Sequence, residues 1–403
     1  MKFGFDDPQF SFQLLRVLGS AAWGGADPGE CLAAASLIEE GDYESWYRAW
    51  FPVAQRVRET GERCEQAGHR ASALESFLRA TSYYRMAGFY LHGRPDDPRL
   101  EIINLRALSS FARVVEHAPF DLEPVEIPFE GTVLPGYFYR ADGPPEPRAT
   151  LIAQQGFDGT QEELYGIGRA AIARGMHCLT FEGPGQGRVI HEQGLPFRPD
   201  WETVVTPVVD FLLGRPGVDA DRVAILGLSL GGYLVPRACA YEHRLAACVA
   251  NGGVFDFMAG KLPPGISRED MRSLIEKDPA GMDLTMREVM KDSADKRWAM
   301  EQGMYAFGVK SPSLWYEKAL DYHLEGIAGL IRCPTLVVDV EDERFFPGAA
   351  RQLFDALECP GTWMLFTRGE GAGDHCQVAS PLLAGQRILD WVQETLGPDP
   401  VAP

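Results

Sequence analysis

Three residue types spread along the chain could together run acyl-transfer chemistry: a serine, then an acid, then a histidine. The serine is Ser229, in Gly227-Leu228-Ser229-Leu230-Gly231. It follows a β-type run, Arg222-Val223-Ala224-Ile225-Leu226, and precedes a helix-like run from Gly232 to Ala240. A strand, G-x-S-x-G and a helix make a sharp turn in which the glycines leave room for the backbone and the serine oxygen is lifted clear of the sheet. The pattern alone is weak, so the reading rests on its context. The bland alternative is a tight turn with an incidental serine. A serine hydroxyl is a poor nucleophile at neutral pH and needs a positioned base.

His375 is the expected base. It sits in Gly371-Ala372-Gly373-Asp374-His375-Cys376, between the strand-like run Trp363-Met364-Leu365-Phe366 and a closing helix at 380–396. The acid is expected after a strand at Thr335–Val340, in Asp339-Val340-Glu341-Asp342-Glu343-Arg344-Phe345-Phe346-Pro347. Asp342 is the first choice because it stands in an acid–x–x–x–apolar–Pro pattern. Asp339 is second, and Glu341 and Glu343 stay open. Such an acid orients the imidazole and stabilises its cation during turnover. An oxyanion hole needs two backbone N–H groups. Leu230, directly after the serine, is expected to supply one. Phe157, in Gln155-Gly156-Phe157-Asp158-Gly159-Thr160, is expected to supply the other, with Gly156 as the fallback. Asp158 and Glu182 are further pocket candidates, as is Asp339. For Asp158 a helix N-cap is the favoured role, for Glu182 a structural hydrogen-bonding one. Phe181-Glu182-Gly183-Pro184-Gly185-Gln186-Gly187 lacks both G-x-G-x-x-G spacing and a P-loop lysine, so it reads as a tight turn. No metal signature and no cofactor site is evident.

These residues need elements to hold them. Apolar spacing predicts helices over Glu30–Glu39, Tyr43–Gly68, His69–Leu91 and Pro98–His117. After Pro119 the period changes. A hairpin is expected around Glu130-Gly131-Thr132, and a turn over Gly143–Pro147. Strands are then expected at Thr150–Gln155, His177–Glu182, Arg222–Gly227, Leu245–Asn251, Thr335–Val340 and Thr362–Phe366. Helices are expected near 161–174, 200–214, 230–241, 348–357 and 380–396. This alternation implies an α/β fold with a mostly parallel sheet covered by helices. Residues 255–330 interrupt it with a helical stretch rich in Met and aromatics. The expected organisation is an N-terminal helical domain at 1–120, an α/β core at 121–254 and 331–403, and a helical lid insertion at 255–330.

The 403 residues, 45% of them apolar and 24% charged, suit a globular protein with a real core. A formal charge of −19 argues against nucleic acid and anionic membrane as partners and leaves a small-molecule substrate. None of the eight cysteines forms C-x-x-C. The N-terminal stretch lacks a signal-peptide pattern, and no apolar run approaches membrane-helix length. A soluble cytoplasmic protein is expected.

Taken together, the chain resembles the α/β-hydrolases that include the pseudooxynicotine-type C–C hydrolases and the fungal polyketide-shortening hydrolases; the fermentation–respiration switch protein is a more distant relative. The resemblance covers nearly the whole chain. It includes Ser72-Ala73, Tyr83-Tyr84-Arg85, Asp96-Asp97-Pro98-Arg99, Gly156-Phe157-Asp158-Gly159, Phe181 to Gly187, Gly227 to Gly232, Phe307-Gly308-Val309, Cys333-Pro334-Thr335-Leu336 and Asp374-His375-Cys376-Gln377. It implies a serine-dependent hydrolase with Ser229, Asp342 and His375 as its triad, working as a homodimer. The target would be a carbon–carbon bond beside a ketone, or an ester, in an aromatic or polyketide-like molecule. Acyl transfer or cyclisation through the same acyl-enzyme is the second reading. A non-catalytic binding or regulatory protein is the third.

Overall fold

The computed structural model describes residues 3–143 and 146–397. Pro144 and Pro145 of the expected turn, and Met1 and Lys2 of the N-terminal stretch, lie outside the described residues.

The chain divides into two compact units. The first comprises Met1–Pro119 together with Thr285–Tyr305. It is helical, with helices at Pro8–Gly19, Pro28–Ala35, Tyr43–Gln66, Arg70–Gly88 and Pro98–His117. The helix at Pro8–Gly19 was not expected from apolar spacing. Gln9, Ser11 and Gln13 are buried among its apolar residues, which obscures the apolar spacing in the sequence. Its start signal is local: Asp7 accepts hydrogen bonds from the N–H groups of Gln9 and Phe10, with proline at the first helical position. The core of this unit is aromatic. Tyr43 stacks on Tyr90 at 4.2 Å, and Phe10 meets Trp46 edge-on at 5.0 Å.

Thr285–Tyr305 belongs to this core. The Tyr43 hydroxyl donates to the carbonyl of Ala294 at 2.6 Å, and Trp298 stacks on Phe89 at 5.4 Å. This corrects the expectation of a single lid at 255–330. The insertion is shared between the units because Trp298 and its neighbours find their apolar partners on the N-terminal helices.

The second unit, Phe120–Leu284 with Ala306–Pro403, carries the sheet. Its strands are β1 Leu122–Phe129, β2 Thr132–Tyr139, β3 Arg148–Gln154, β4 His177–Phe181, β5 Val218–Leu228, β6 Ala247–Asn251, β7 Thr335–Val340 and β8 Gly361–Phe366. They pair in the order β1-β2-β4-β3-β5-β6-β7-β8. β1 and β2 form an antiparallel hairpin, and β2 runs antiparallel to β4. All later neighbours are parallel. The hairpin turns through Glu130 (φ 40°) and Gly131 (φ 83°), the two left-handed residues that match a two-residue turn to the twist of its strands. β3, β4 and β6 are buried along their whole length, as a sheet covered on both faces requires. Helices at Tyr165–Ile172, Glu202–Leu213, Gly231–Cys239, Ala349–Asp355 and Pro381–Leu396 connect or close the strands. Among the described residues no helix is long and apolar enough to cross a membrane.

Candidate active site

Every expected site residue lies at or just beyond the carboxyl end of a strand, where open α/β sheets place their ligand sites. Phe157 follows β3, Glu182 follows β4, Ser229 follows β5, Asp339 is the penultimate residue of β7, and His375 follows β8.

Ser229 occupies a strained turn. Its φ is 59°, left-handed for a residue with a side chain. Close packing enforces it: a Cβ at Gly227 would stand 2.2 Å from the Gly231 carbonyl oxygen and 2.2 Å from Val235 Cγ2. The Ser229 N–H donates to the Asn251 carbonyl at 2.9 Å, and Gly232 N–H donates back to the Ser229 carbonyl at 2.7 Å. Leu230 then opens the helix Gly231–Cys239.

The loop after β3 passes directly over this turn. A Cβ at Gly156 would lie 2.6 Å from the Leu230 nitrogen and 2.5 Å from the Leu228 carbonyl oxygen. Only glycine lets the two segments approach so closely, and the approach seats Gly156, the residue before Phe157, against the Leu230 amide. Gln186, which sequence reasoning missed, clamps the loop in place. Its buried side-chain amide donates to the carbonyls of Gln155 (2.6 Å) and Gly156 (3.0 Å) and accepts from Gly183 N–H at 2.9 Å. The signal was there as a polar residue in an otherwise Gly/Pro turn, but its target lies about thirty residues upstream. Glu182 accepts backbone hydrogen bonds from Gln161 (3.1 Å) and Arg188 (2.8 Å). Burial and the neighbouring Glu162 push its carboxyl up to about 8. It pins the backbone around it. Asp158 is not the helix cap that was expected. Thr160 takes that position, and Glu163 accepts its N–H at 3.0 Å, because the first turn begins at Gln161.

His375 is buried, and its Nδ1 lies 2.6 Å from Glu343 Oε2. Glu343 is buried as well, with a side chain 7% exposed, and its other oxygen accepts from Phe345 N–H (2.8 Å) and Phe346 N–H (3.1 Å). Burial would raise its carboxyl, but His375 and these amides outweigh that and hold it low. Asp342, the expected acid, is corrected: its carboxylate pairs with the exposed Arg368. Asp339 turns back on its own strand end, accepting from Val340 N–H at 2.9 Å. Glu341 accepts from Arg368 N–H at 2.7 Å. The pattern was displaced by one residue because the longer glutamate reaches the ring from a position whose carboxylate its own loop can cap.

The base loop and the serine turn meet on β6. The Asn251 carbonyl that receives Ser229 N–H also lies 3.5 Å from Cys376 Sγ, and the Asn251 side chain donates to Gln377 Oε1 at 2.9 Å. Next to it, Gly252 (φ 77°) lets the imidazole lie flush, since a Cβ there would be 3.1 Å from His375 Cε1. Cys376 (φ 52°) brings its sulfur to 3.5 Å from His375 Nε2. Burial lowers the imidazole pKa, but Cys376 and Glu343 raise it by more, so the net shift is upward. An aromatic run joins the two sides. Phe157 meets Phe257 at 5.7 Å, Phe257 meets Phe346 at 5.8 Å, and Phe346 meets the His375 ring at 5.9 Å. Among the described residues no cluster of three His, Cys, Asp or Glu is placed to hold a metal ion.

Residues 43–263 match the family model described as "Esterase FrsA-like". The chain belongs to the FrsA-like esterase family. It is 34% identical to the "Hydrolase acrC" of Aspergillus aculeatus over 96% of each chain. It is 31% identical to the "20-hydroxy-prefusarin hydrolase FUS2" of Gibberella moniliformis, again over 96% of each. Among solved structures it is similar to the 2,6-dihydroxy-pseudo-oxynicotine hydrolase, with a TM-score of 0.75 at 21% identity over 94% of this chain and 95% of that one. The fold is that of the α/β-hydrolases, and this member of the family is a hydrolase.

Proposed function

We propose that the chain is a serine hydrolase that cleaves an acyl bond in a small aromatic or polyketide-like molecule through Ser229, His375 and Glu343. The observation that carries the reading is the 2.6 Å contact between His375 Nδ1 and Glu343 Oε2, made by a loop anchored on the Asn251 carbonyl that also anchors Ser229. Ser229 Oγ attacks the substrate carbonyl while His375 Nε2 takes its proton. Glu343 holds the ring by Nδ1–H and stabilises the imidazolium. The oxyanion rests on the N–H groups of Leu230 and Phe157. His375 then protonates the departing enolate, carbanion or alkoxide. Water activated by the same histidine releases the acid. The name of one relative, a 20-hydroxy-prefusarin hydrolase, supports a small organic substrate, and a bond beside a ketone or an ester suits the chemistry equally. The free state of all eight cysteines supports work in a reducing cytoplasm.

The test is intact mass after a fluorophosphonate probe, on wild type and Ser229→Ala. One adduct on the wild type that vanishes in the variant, with hydrolysis of an aryl ester or β-diketone falling on the order of 10⁴-fold or more, is expected. A folded wild type that takes no adduct and turns over neither substrate class sinks the reading.

A further inference from the structure

Lys261 is a charged group that the proposed mechanism leaves unused. It lies in the segment after β6, half-buried, and its Nζ donates to two backbone carbonyls, Phe257 at 2.6 Å and Phe345 at 3.1 Å. Its ammonium stands 4.1 Å from the centre of the Phe346 ring and 4.9 Å from that of Phe257. An ammonium has three N–H donors, so one remains open. No carboxylate lies within ion-pairing distance of it among the described residues. The two acids whose charge reaches it are committed elsewhere. Asp256 is held by Arg268 and by Met258 N–H, and Glu343 by His375. Burial pushes the amine down to about 7, against the opposing pull of Asp256 and Glu343.

An unpaired cation among phenyl rings and carbonyls is costly in a folded chain. Its place makes the cost intelligible. The Phe345 residue whose carbonyl it grips lays its own ring edge-on to His375 at 4.8 Å, and Phe346, which it covers, touches the same imidazole. Lys261 therefore stands one phenyl ring away from the base. Phe257 continues the apolar surface toward Phe157.

We propose that Lys261 is the specificity-determining residue for an anionic substrate: its open N–H receives a carboxylate or phenolate oxygen of the acyl compound, while Phe257 and Phe346 pack on the adjoining apolar part. This rests on the reading of Ser229 and His375 as the acyl-transfer centre. An oxyanion there supplies the missing counter-charge and keeps the ammonium protonated.

Mono-4-nitrophenyl esters of glutaric, adipic and suberic acids, set against the 4-nitrophenyl esters of pentanoic, hexanoic and octanoic acids, test this. For at least one chain length the wild type should favour the carboxylate-bearing ester by about tenfold to a hundredfold in kcat/KM. In Lys261→Met that ratio, which cancels any general loss of activity, should collapse toward one, chiefly through KM. Lys261→Arg should recover part of it. A wild type that hydrolyses the neutral esters with no carboxylate preference overturns the proposal, as does a Lys261→Met variant that keeps the preference. If neither class is hydrolysed, the reading of Ser229 has failed separately. Calorimetry with 3-phenylpropionate then decides: binding by the wild type that is lost in Lys261→Met sustains the anion site, and equal or absent binding overturns it.

Discussion

The turn at 227–231 and the loop at 339–347 both cap a strand of one sheet, yet different forces shape them. The turn is held by exclusion. A methyl at Gly227 would collide with the Gly231 carbonyl and Val235, and Gly156 crosses over the turn where a Cβ would strike the Leu228 carbonyl and the Leu230 nitrogen. The loop is held by pairing. It contains four carboxylates, and they divide among three partners: Asp339 takes its own strand end, Glu341 and Asp342 share Arg368, and Glu343 takes the histidine. Steric exclusion acts over adjacent residues and is written locally. Charge pairing depends on which cation or imidazole another part of the chain brings near. The first kind of region therefore tolerates almost no substitution. The second should tolerate most and fail at one.

The sharpest way to break this contrast is Glu343→Gln. The side chain keeps its shape but can no longer hold the required tautomer or balance the imidazolium, so kcat/KM should fall on the order of 10⁴-fold. Its residual pH profile carries a sign. Only the neutral imidazole accepts the serine proton, so the rate rises with pH through the pKa of His375. That pKa is raised overall: burial lowers it, and Cys376 and Glu343 raise it. Without the carboxylate the rise should move to lower pH, and a profile that stays put would show that Glu343 does not hold the ring. Gly227→Ala probes the other region. Its methyl would meet the Gly231 carbonyl and Val235, so the turn must shift, with an expected loss of about 1–3 kcal/mol in denaturant unfolding. Unchanged stability together with unchanged activity would remove the steric account of the turn. The smallest effect is expected at Asp342→Asn. Its partner Arg368 is mostly exposed, so kcat/KM should stay within about twofold of wild type. A large loss there would return the acid role to Asp342 and dissolve the contrast.

Much of the frame was legible before any coordinates. The strands β3 to β8 announce themselves as short β-branched or apolar runs between turn residues, and Ser229 and His375 stand out by what precedes and follows them. The helix Pro8–Gly19 escaped because polar Gln9, Ser11 and Gln13 are buried along with its apolar residues, leaving Asp7 and Pro8 as its clearest mark. Gln186 escaped because its partners, the carbonyls of Gln155 and Gly156, are near it only once β3 and β4 lie side by side. The insertion at 255–330 looked like one piece because its composition is uniform, whereas Thr285–Tyr305 joins the helical unit.

What the order of residues determined alone is whatever depends on neighbours along the chain: the strand–turn–helix at Ser229, the glycines that permit it, the histidine loop after the last strand, and the alternation that makes a parallel sheet. What the tertiary structure decided is whatever depends on distance through space: Glu343 rather than Asp342 against His375, Gln186 beneath the Phe157 loop, and Lys261 among phenyl rings without a counter-charge. A backbone turn is set by sterics over a few bonds. A carboxylate's partner is set by Coulomb and hydrogen-bond interactions that fall off within a few ångströms, and only the fold says which groups come that close.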